Sequence, residues 1–495
     1  MAATLNRLRP MLLREVLADT GAAGLDGLPD AEVTGLAFDH RTVGPGTVFF
    51  CVPGFTRDGH DFADDAARAG AVALVVEREI ALGADVPDVP RVRVPDVRAA
   101  MAPAAAAFHG DPTACLRMIG ITGTNGKTTS AFLMRDVLEA AGVQTGLLGT
   151  IQNVVGGEEQ VAIRTTPEAI DLQATFAAML AAGDQACVME VSSHALALHR
   201  ADAIDWDVAI FTNLTQDHLD FHADMDDYRA AKRRLLEASP RARVINVDDP
   251  AGASLAGEFP DAVTVGIDAP ADLRAVGVRS TAAGSEFDVD GLHVAIPLPG
   301  AFNVLNALGV MAAARALGLP DPGIVGALTG AGRVPGRFEP VDEGQGFAVL
   351  VDYAHTPDSL ENVLRAARDL TDRRVLCVFG CGGDRDTGKR PLMGGLAAVG
   401  ADWVVVTSDN PRSEDPYAIL SAIVDGVSPS DREHVEVIED RAMAIDRAVG
   451  LAADGDVVVI AGKGHEQGQT LAGGRTIPFD DVAVAREALR ARLDA

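Results

Sequence analysis

The chain has 495 residues, 48% of them hydrophobic, with 42 Lys plus Arg against 71 Asp plus Glu and a formal net charge of −29. That length suits two to four domains with sizeable cores. The acidic balance would repel a phosphate backbone, which argues against nucleic acid as the main partner and means that an anionic ligand must be held by local clusters.

Five cysteines, Cys51, Cys115, Cys187, Cys377 and Cys381, are scattered without a CxxC or a Cys/His metal spacing, and so read as reduced cytosolic thiols. Arg7, Arg9 and Arg14 interrupt the N-terminal leucines, so the apolar run of a signal peptide is missing. The longest uncharged stretch, 294–314, contains Pro297, Pro299, Asn303 and Asn306 and makes a poor membrane span. A cytoplasmic protein with no membrane insertion is expected.

Residues 1–112 read as a small α/β unit, with strand-like runs at 46–52 and 71–76 around a helical stretch at 62–69. The loops FDHR (38–41) and GFTRDGH (54–60) are by themselves turns with solvated charge. Residues 113–333 alternate apolar strands (116–121, 187–191, 208–212, 244–247) with helical segments, which predicts a doubly wound, mainly parallel sheet with ligands at the carboxyl ends of its strands.

The first strand of that region runs into GITGTNGKTTS (120–130) and then a helix. Strand, glycine loop and helix in that order make a phosphate cradle. Gly123 and Gly126 let backbone N–H groups face an anion, Lys127 can reach terminal phosphates, and the Thr128 hydroxyl can ligate magnesium. An ordinary Gly-rich turn is the blander alternative, and GKTT in this context outweighs it.

Three motifs follow. MEVSSHALALHR (189–200) puts Glu190 at a strand end, where it could bind magnesium or simply be solvated. TNLTQDHLDFH (212–222) packs Asp217, His218, Asp220 and His222 together, a density that packing explains poorly. YRAAKRRLLE (228–237) places Lys232 among arginines, which alone would be a basic helical face. Strand-like runs near 263–266 and 287–296 look like connecting β structure, and 300–318 reads as a helix closed by Gly318 that Asn303 and Asn306 could cap.

Residues 334–495 open with VPGRFEP (334–340), a turn suited to presenting Arg337 to phosphate. VLVDYAHTPDSL (349–360) reads as strand, loop and helix, with an Asp or Thr-Pro helix start as the plain reading. Strand exits at 376–391, 403–416 and 457–466 belong to one Rossmann-like sheet, so their loops should converge on one crevice. They would bring Arg385, Asn410, Arg412 and Glu466 together in a mixed-charge site that suits an amino acid.

The phosphate loop has Ile121 where the general P-loop pattern wants its first glycine, and in that form it resembles the loop of the Mur ligases and of folylpolyglutamate synthase. EVSSH, TNLTQDHLDFH and the lysine ten residues beyond it match, in order and spacing, the Mur ligases that add the third amino acid to the UDP-MurNAc peptide. DNPR (409–412) resembles the diaminopimelate-adding branch, with a lysine-adding homologue or a folylpolyglutamate synthase-type ligase as alternatives. The resemblance covers nearly the whole chain and implies three α/β domains: 1–112 holding uridine diphosphate, 113–333 binding ATP, and a Rossmann-like 334–495 binding the amino acid.

The residue roles it implies are specific. Gly123, Thr124, Asn125, Gly126, Lys127, Thr128, Thr129, Asn303, Asn306, Arg337, Asp352 and His355 would bind ATP. Thr128 and Glu190 would hold one magnesium, and His218 with a carbamylated Lys232 a second. Lys127, Glu190, His218 and Lys232 would be the catalytic set. Phe38, His40, Phe55, Thr56, Arg57, Thr165, Thr166, Ser192, Leu198 and Arg200 would contact UDP-MurNAc-L-Ala-D-Glu, with His40 standing where the family commonly has Ser. Arg385, Asp409, Asn410, Pro411, Arg412, Gly462 and Glu466 would bind diaminopimelate. The implied assembly is a monomer working on small molecules by way of an acyl phosphate.

Overall fold

The computed structural model describes residues 11–54, 56–162, 164–238 and 241–494. Of the residues singled out above, Arg7, Arg9 and Phe55 lie outside the described residues. The chain divides into two units, one formed by 1–122, 142–209 and 231–242, the other by 123–141, 210–230 and 243–495.

In the first unit, short runs rich in β-branched and aromatic residues build an all-parallel sheet in the order Gly35–Ala37, Thr47–Phe50, Ala73–Val76, Arg91–Arg93. Side-chain alternation sends Val48, Phe50, Ala73 and Val75 into one core and Phe49, Cys51, Leu74 and Val76 into another, so both faces are covered. The helix Val97–His109 closes the first of these cores. Asp96 caps its start by accepting from the Ala99 N–H at 3.0 Å, and Gly110 ends it at φ 74°. The same unit carries the parallel strands Arg117–Thr122, Ala186–Glu190 and Thr145–Leu148, extended by the antiparallel Gln152–Val155 and Glu158–Val161. Gly120 is small for packing reasons, since a Cβ there would lie 2.8 Å from the Trp206 ring.

The second unit holds the helix Lys127–Ala140 and the parallel strands Ala242–Asn246, Val263–Gly266 and Leu273–Arg274. The β structure expected around 287–296 is an antiparallel pair, Gly284–Val289 and Leu292–Ile296, turned at Asp290 and Gly291 with φ 51° and 78°. Asp-Gly between alternating runs is the hairpin signal, and both residues take the left-handed backbone that a tight primed turn needs.

The last sheet runs Glu339–Pro340, Ala348–Asp352, Val457–Ala461, Val375–Phe379, Trp403–Val406, Val435–Val437, parallel except at its first strand. Leu350, Cys377, Val404 and Val459 face one core while Val351, Val378, Val405 and Ile460 face the other, the pattern of a doubly wound sheet. All five cysteines are free thiols; Cys115 is exposed, and burial pushes Cys51, Cys377 and Cys381 up to about 12.

Under this sheet Arg441 and Asp481, both fully buried, pair through two 2.7 Å bonds, and Arg441 also donates to the Ala461 carbonyl at 2.9 Å. Removing one partner strands the other charge in the core. Asp481→Ala should therefore lose about 3–5 kcal/mol in urea unfolding, and a loss below about 1 kcal/mol would show that the pair contributes little.

Candidate active site

The phosphate loop is held by the segment that follows the strand Val208–Phe211. Thr124 N–H donates to the Asn213 carbonyl at 2.9 Å, Asn125 N–H donates to Asn213 Oδ1 at 2.8 Å, and Thr212 Oγ1 donates to the Asn125 carbonyl at 2.6 Å. Lys127 Nζ donates back to the carbonyls of Gly123 and Thr124 at 2.9 and 2.8 Å. Gly123 is required at φ 151°, because a Cβ would sit 1.8 Å from Thr212 Oγ1. Gly126 is required at φ 86°, where a Cβ would meet Asn306 Oδ1 at 2.4 Å. The helix Lys127–Ala140 then starts with its N–H groups toward the loop, a frame suited to an anion.

Beside the loop opens a cleft whose walls include Thr129, Val265, Phe302, Leu305 and Val363, with the amides of Asn246 and Asn306 at its edges. Apolar walls with a few amide edges suit a flat heterocycle. Neither Asn303 nor Asn306 caps the helix Ala301–Ala316, which corrects that option: Asn303 Nδ2 donates to the Pro299 carbonyl at 2.8 Å and Asn306 Nδ2 to Asn303 Oδ1 at 3.2 Å. The Asn306 amide lies against Gly126 of the loop and lines the cleft.

Arg337 Nη2 donates to Thr128 Oγ1 at 3.1 Å, and its guanidinium lies 4.6 Å from the centre of the Tyr353 ring. Asp352 accepts from the N–H groups of Phe338 and Ala354, while burial pushes its carboxyl up to about 6. Burial and the nearby Lys389 ammonium hold His355 below the ordinary histidine range, so it is neutral near pH 7. Burial favours the neutral acid at Asp217, but His218, His355 and Lys127 outweigh it and the net shift is downward. Thr356 caps the helix Pro357–Asp369 in a reciprocal box with Ser359, so the Thr-Pro helix start holds as well. Sequence reasoning passed over Asp358, whose Oδ2 accepts from Asn125 Nδ2 and Thr215 Oγ1, both at 2.9 Å.

In the first unit, Glu190 is fully buried, not solvated. Its Oε1 accepts from the Thr150 N–H at 2.8 Å and its Oε2 from Thr150 Oγ1 at 3.0 Å. Thr150 Oγ1 also lies 3.1 Å from Thr165 Oγ1, and Thr166 Oγ1 donates to the Glu190 carbonyl at 3.0 Å and to Ser192 Oγ at 3.3 Å. Arg200 donates to the Thr166 carbonyl at 3.2 Å and pairs with Glu168 at 2.8 Å. The motif residues Glu190, Thr165, Thr166, Ser192 and Arg200 thus form one hydrogen-bonded cluster, and Leu198 follows the short helix that Ser192 caps. Thr150 and Glu168 were not singled out from the sequence, which gives neither a motif to mark it.

Lys232 is 1% exposed, which excludes the reading of its helix as a uniformly solvated basic face. His218 and Arg412 adopt left-handed backbone at φ 56° and 52°, a conformation that non-glycine residues keep only where the surroundings hold them. His40 stacks on Phe62 at 4.2 Å and 1°, Phe38 packs partly buried against the first core, and Thr56 and Arg57 are exposed on a turn closed by Gly54 N–H to the Arg57 carbonyl at 2.9 Å.

At the strand ends of the six-stranded sheet, Asn410 Nδ2 donates to Glu466 Oε2 at 2.8 Å, and Arg412 Nη1 donates to the Gly383 carbonyl at 2.6 Å. A Cβ on Gly382 would lie 2.9 Å from Arg412 Nη1 and 3.9 Å from Arg385 Cγ, so both arginines flank that glycine, with Arg385 exposed. Pro411 packs its carbonyl against Gly383, where a Cβ would come within 2.0 Å. Gly462, at φ 117°, admits Asp409, whose Oδ2 a Cβ would meet at 2.8 Å. The expected convergence of these loops is present.

Among the described residues no group of three or more His, Cys, Asp or Glu side chains is arranged to hold a metal by itself. The Glu190 carboxylate is nonetheless a hard oxygen donor of the kind that magnesium takes. A Cβ on Gly149 would stand 2.6 Å from Glu190 Oε1, so the glycine keeps that carboxylate oxygen clear of carbon.

His465 has Nδ1 buried with no hydrogen-bond partner among the described residues, and burial beside Arg337 pushes it down to about 4. Its folded-state value lies below the ordinary one, so its contribution to stability is present above about pH 6.5 and is lost as the pH falls through about 4. Replacing it by Phe should flatten that limb, shrinking the loss of unfolding free energy between pH 7 and 4 by on the order of 2 kcal/mol. Parallel urea titrations of the two proteins at several pH values check this, and identical slopes would refute it.

Three family models match the chain: Mur ligase family, catalytic domain, at residues 32–109; Mur ligase middle domain at 121–314; and Mur ligase, glutamate ligase domain, at 336–464. The UDP-N-acetylmuramoyl-L-alanyl-D-glutamate–2,6-diaminopimelate ligase of Syntrophomonas wolfei subsp. wolfei is 45% identical over 497 residues, covering 98% of this chain and 100% of that protein. The protein of the same name from Geobacillus thermodenitrificans is 48% identical over 479 residues, covering 94% and 96%. A solved structure of a ligase of that name superposes with a TM-score of 0.69 at 31% identity, covering 98% of this chain and 99% of the other. The chain belongs to the Mur ligase family.

Proposed function

We propose that the chain joins 2,6-diaminopimelate to the D-glutamate γ-carboxylate of UDP-MurNAc-L-Ala-D-Glu with hydrolysis of ATP, in the building of peptidoglycan precursors. The observation that carries this reading is the meeting of the strand ends 380–385, 409–412 and 462–466, where Asn410 bonds Glu466 and Arg412 bonds the Gly383 carbonyl, in a protein 45–48% identical over nearly its full length to diaminopimelate-adding ligases. Arginine forks suit carboxylates and the glutamate suits an ammonium.

The chemistry follows from what the residues hold. The loop residues Gly123 to Thr129 cradle the triphosphate, with the adenine in the adjoining cleft among Asn306, Phe302 and Val265. The substrate γ-carboxylate attacks the γ-phosphorus and ADP leaves, giving an acyl phosphate; Lys127 and Arg337 are the donors for the charge that moves, and His355 is assigned to the nucleotide beside them. The amine of diaminopimelate then adds to the acyl carbon, its proton is lost, and phosphate departs from the tetrahedral centre to leave an amide.

Magnesium, which would neutralise phosphate oxygens, is assigned to Thr128 and Glu190, with a second ion assigned to His218 and a carbamylated Lys232. Carbamylation adds carbon dioxide to the lysine amine with loss of a proton, and so exchanges a buried cation for an anionic oxygen donor. The muramyl peptide is assigned to Thr165, Thr166, Ser192, Leu198 and Arg200, and its uridine diphosphate to Phe38, His40, Phe55, Thr56 and Arg57. The domain limits 1–112, 113–333 and 334–495, a cytoplasmic location and a monomeric state belong to the same reading. No described helix is long and apolar enough to cross a membrane.

Phosphate release is the test, with ATP, magnesium and UDP-MurNAc-L-Ala-D-Glu fixed and meso-diaminopimelate compared with L-lysine. A strong preference for diaminopimelate is expected. Preference for lysine would keep the ligase and overturn the specificity, and no release with either would overturn both. In the same assay Lys232→Ala should lose about a hundredfold or more and stay inactive in high bicarbonate, while full activity would remove the carbamate.

A further inference from the structure

The loop after the strand Val457–Ala461 carries a lysine that neither the proposed reaction nor the motif residues use. Lys463 is 0% exposed, a costly place for an ammonium unless its charge and hydrogen bonds are answered. They are answered by three groups: Glu466 Oε2 at 2.8 Å, Asn410 Oδ1 at 3.1 Å and, as an ion pair, Asp409 Oδ1 at 3.7 Å.

The consequence falls on Asn410. Its Oδ1 accepts from Lys463 Nζ and from the Thr470 N–H at 2.9 Å, which fixes the amide so that Nδ2 must face the other way. That Nδ2 donates to Glu466 Oε2 at 2.8 Å, the same oxygen that Lys463 holds. Glu466 Oε2 is thereby doubly occupied, while Oε1 has no hydrogen bond among the described residues and the side chain remains 33% exposed. The carboxylate is held with one oxygen inward and one available.

We infer that Lys463 is a positioning residue for amino-acid recognition, locking the Asn410 amide and keeping Glu466 ionised with Oε1 presented to the ammonium of the incoming amino acid. Burial works to raise the Glu466 carboxyl, and the adjacent Lys463 and Asn410 outweigh it so that the net shift is downward. A carboxylate so held meets a cation without having to turn or to lose a proton first. The inference rests on the reading of these strand ends as the amino-acid site.

The test uses the full chain, with ATP and UDP-MurNAc-L-Ala-D-Glu saturating and meso-diaminopimelate varied. Lys463→Met should raise the KM for diaminopimelate by about tenfold or more, with kcat within about threefold and the KM values for the other two substrates unchanged. Loss of the cation should also move the acid limb of kcat/KM for diaminopimelate to higher pH, by about one unit, because Glu466 must be ionised to bind an ammonium. If Lys463 acts through Glu466, the double variant Lys463→Met with Glu466→Gln should cost no more than Glu466→Gln alone.

An unchanged KM with an unchanged acid limb would overturn the inference, as would additive losses in the double variant. Should Lys463→Met fail to fold, Lys463→Gln, which keeps a donor without the charge, is read on the same scales. Failure of both to fold would make Lys463 purely structural and overturn the inference. Normal turnover by the unaltered protein beside an unaffected variant sinks the role of Lys463 alone; no phosphate release by the unaltered protein with any amino acid sinks the proposed function.

Discussion

A phosphate loop can offer its N–H groups to an anion only if its carbonyl oxygens are turned away and satisfied, and here that constraint is met side chain by side chain. Lys127 takes the carbonyls of Gly123 and Thr124, and Thr212 and Asn213 take that of Asn125. Glycines at 123 and 126 follow from this closeness, since any side chain there would overlap Thr212 or Asn306. The loop is therefore shaped before a nucleotide arrives, and the ordering entropy of binding is correspondingly reduced.

Carboxylates in the molecule are put to different uses by their surroundings. Glu190 accepts from the backbone N–H and the hydroxyl of Thr150, which fix both of its oxygens. Glu466 is tied to a buried lysine and an amide. Asp352 spends its oxygens on the backbone of Phe338 and Ala354, where it orders the turn that carries Arg337. Asp481 answers the guanidinium of Arg441 and contributes to the core.

Much of this was legible in the sequence for physical reasons. The unbroken apolar runs of Val349 to Val351, of Val375 to Phe379 and of Val457 to Ala461 announce strands covered on both faces, and GTNGKTT between strand and helix announces a phosphate loop. The turn-rich strands around 287–296 are a hairpin whose turn the Asp290-Gly291 pair marks. Thr150, Glu168, Asp358 and Lys463 were not legible in this way. The pairings that give three of them their place reach far along the chain, 40 residues for Thr150 to Glu190, 233 for Asn125 to Asp358 and 53 for Lys463 to Asn410, and no local period records such pairings. Conversely, Lys232 looks like part of a basic surface in sequence, and only its burial separates it from Arg233 and Arg234.

The thiols give the protein an unplanned convenience. Cys51, Cys377 and Cys381 are shielded and held in the protonated form far above neutral pH, and Cys187 lies fully inside the core, so none is a ready nucleophile in the folded state. Cys115 stands exposed just ahead of the strand Arg117–Thr122 that leads into the phosphate loop. A maleimide dye added to the native protein would accordingly settle on a single address close in sequence to the nucleotide loop, giving an optical reporter without any engineered cysteine.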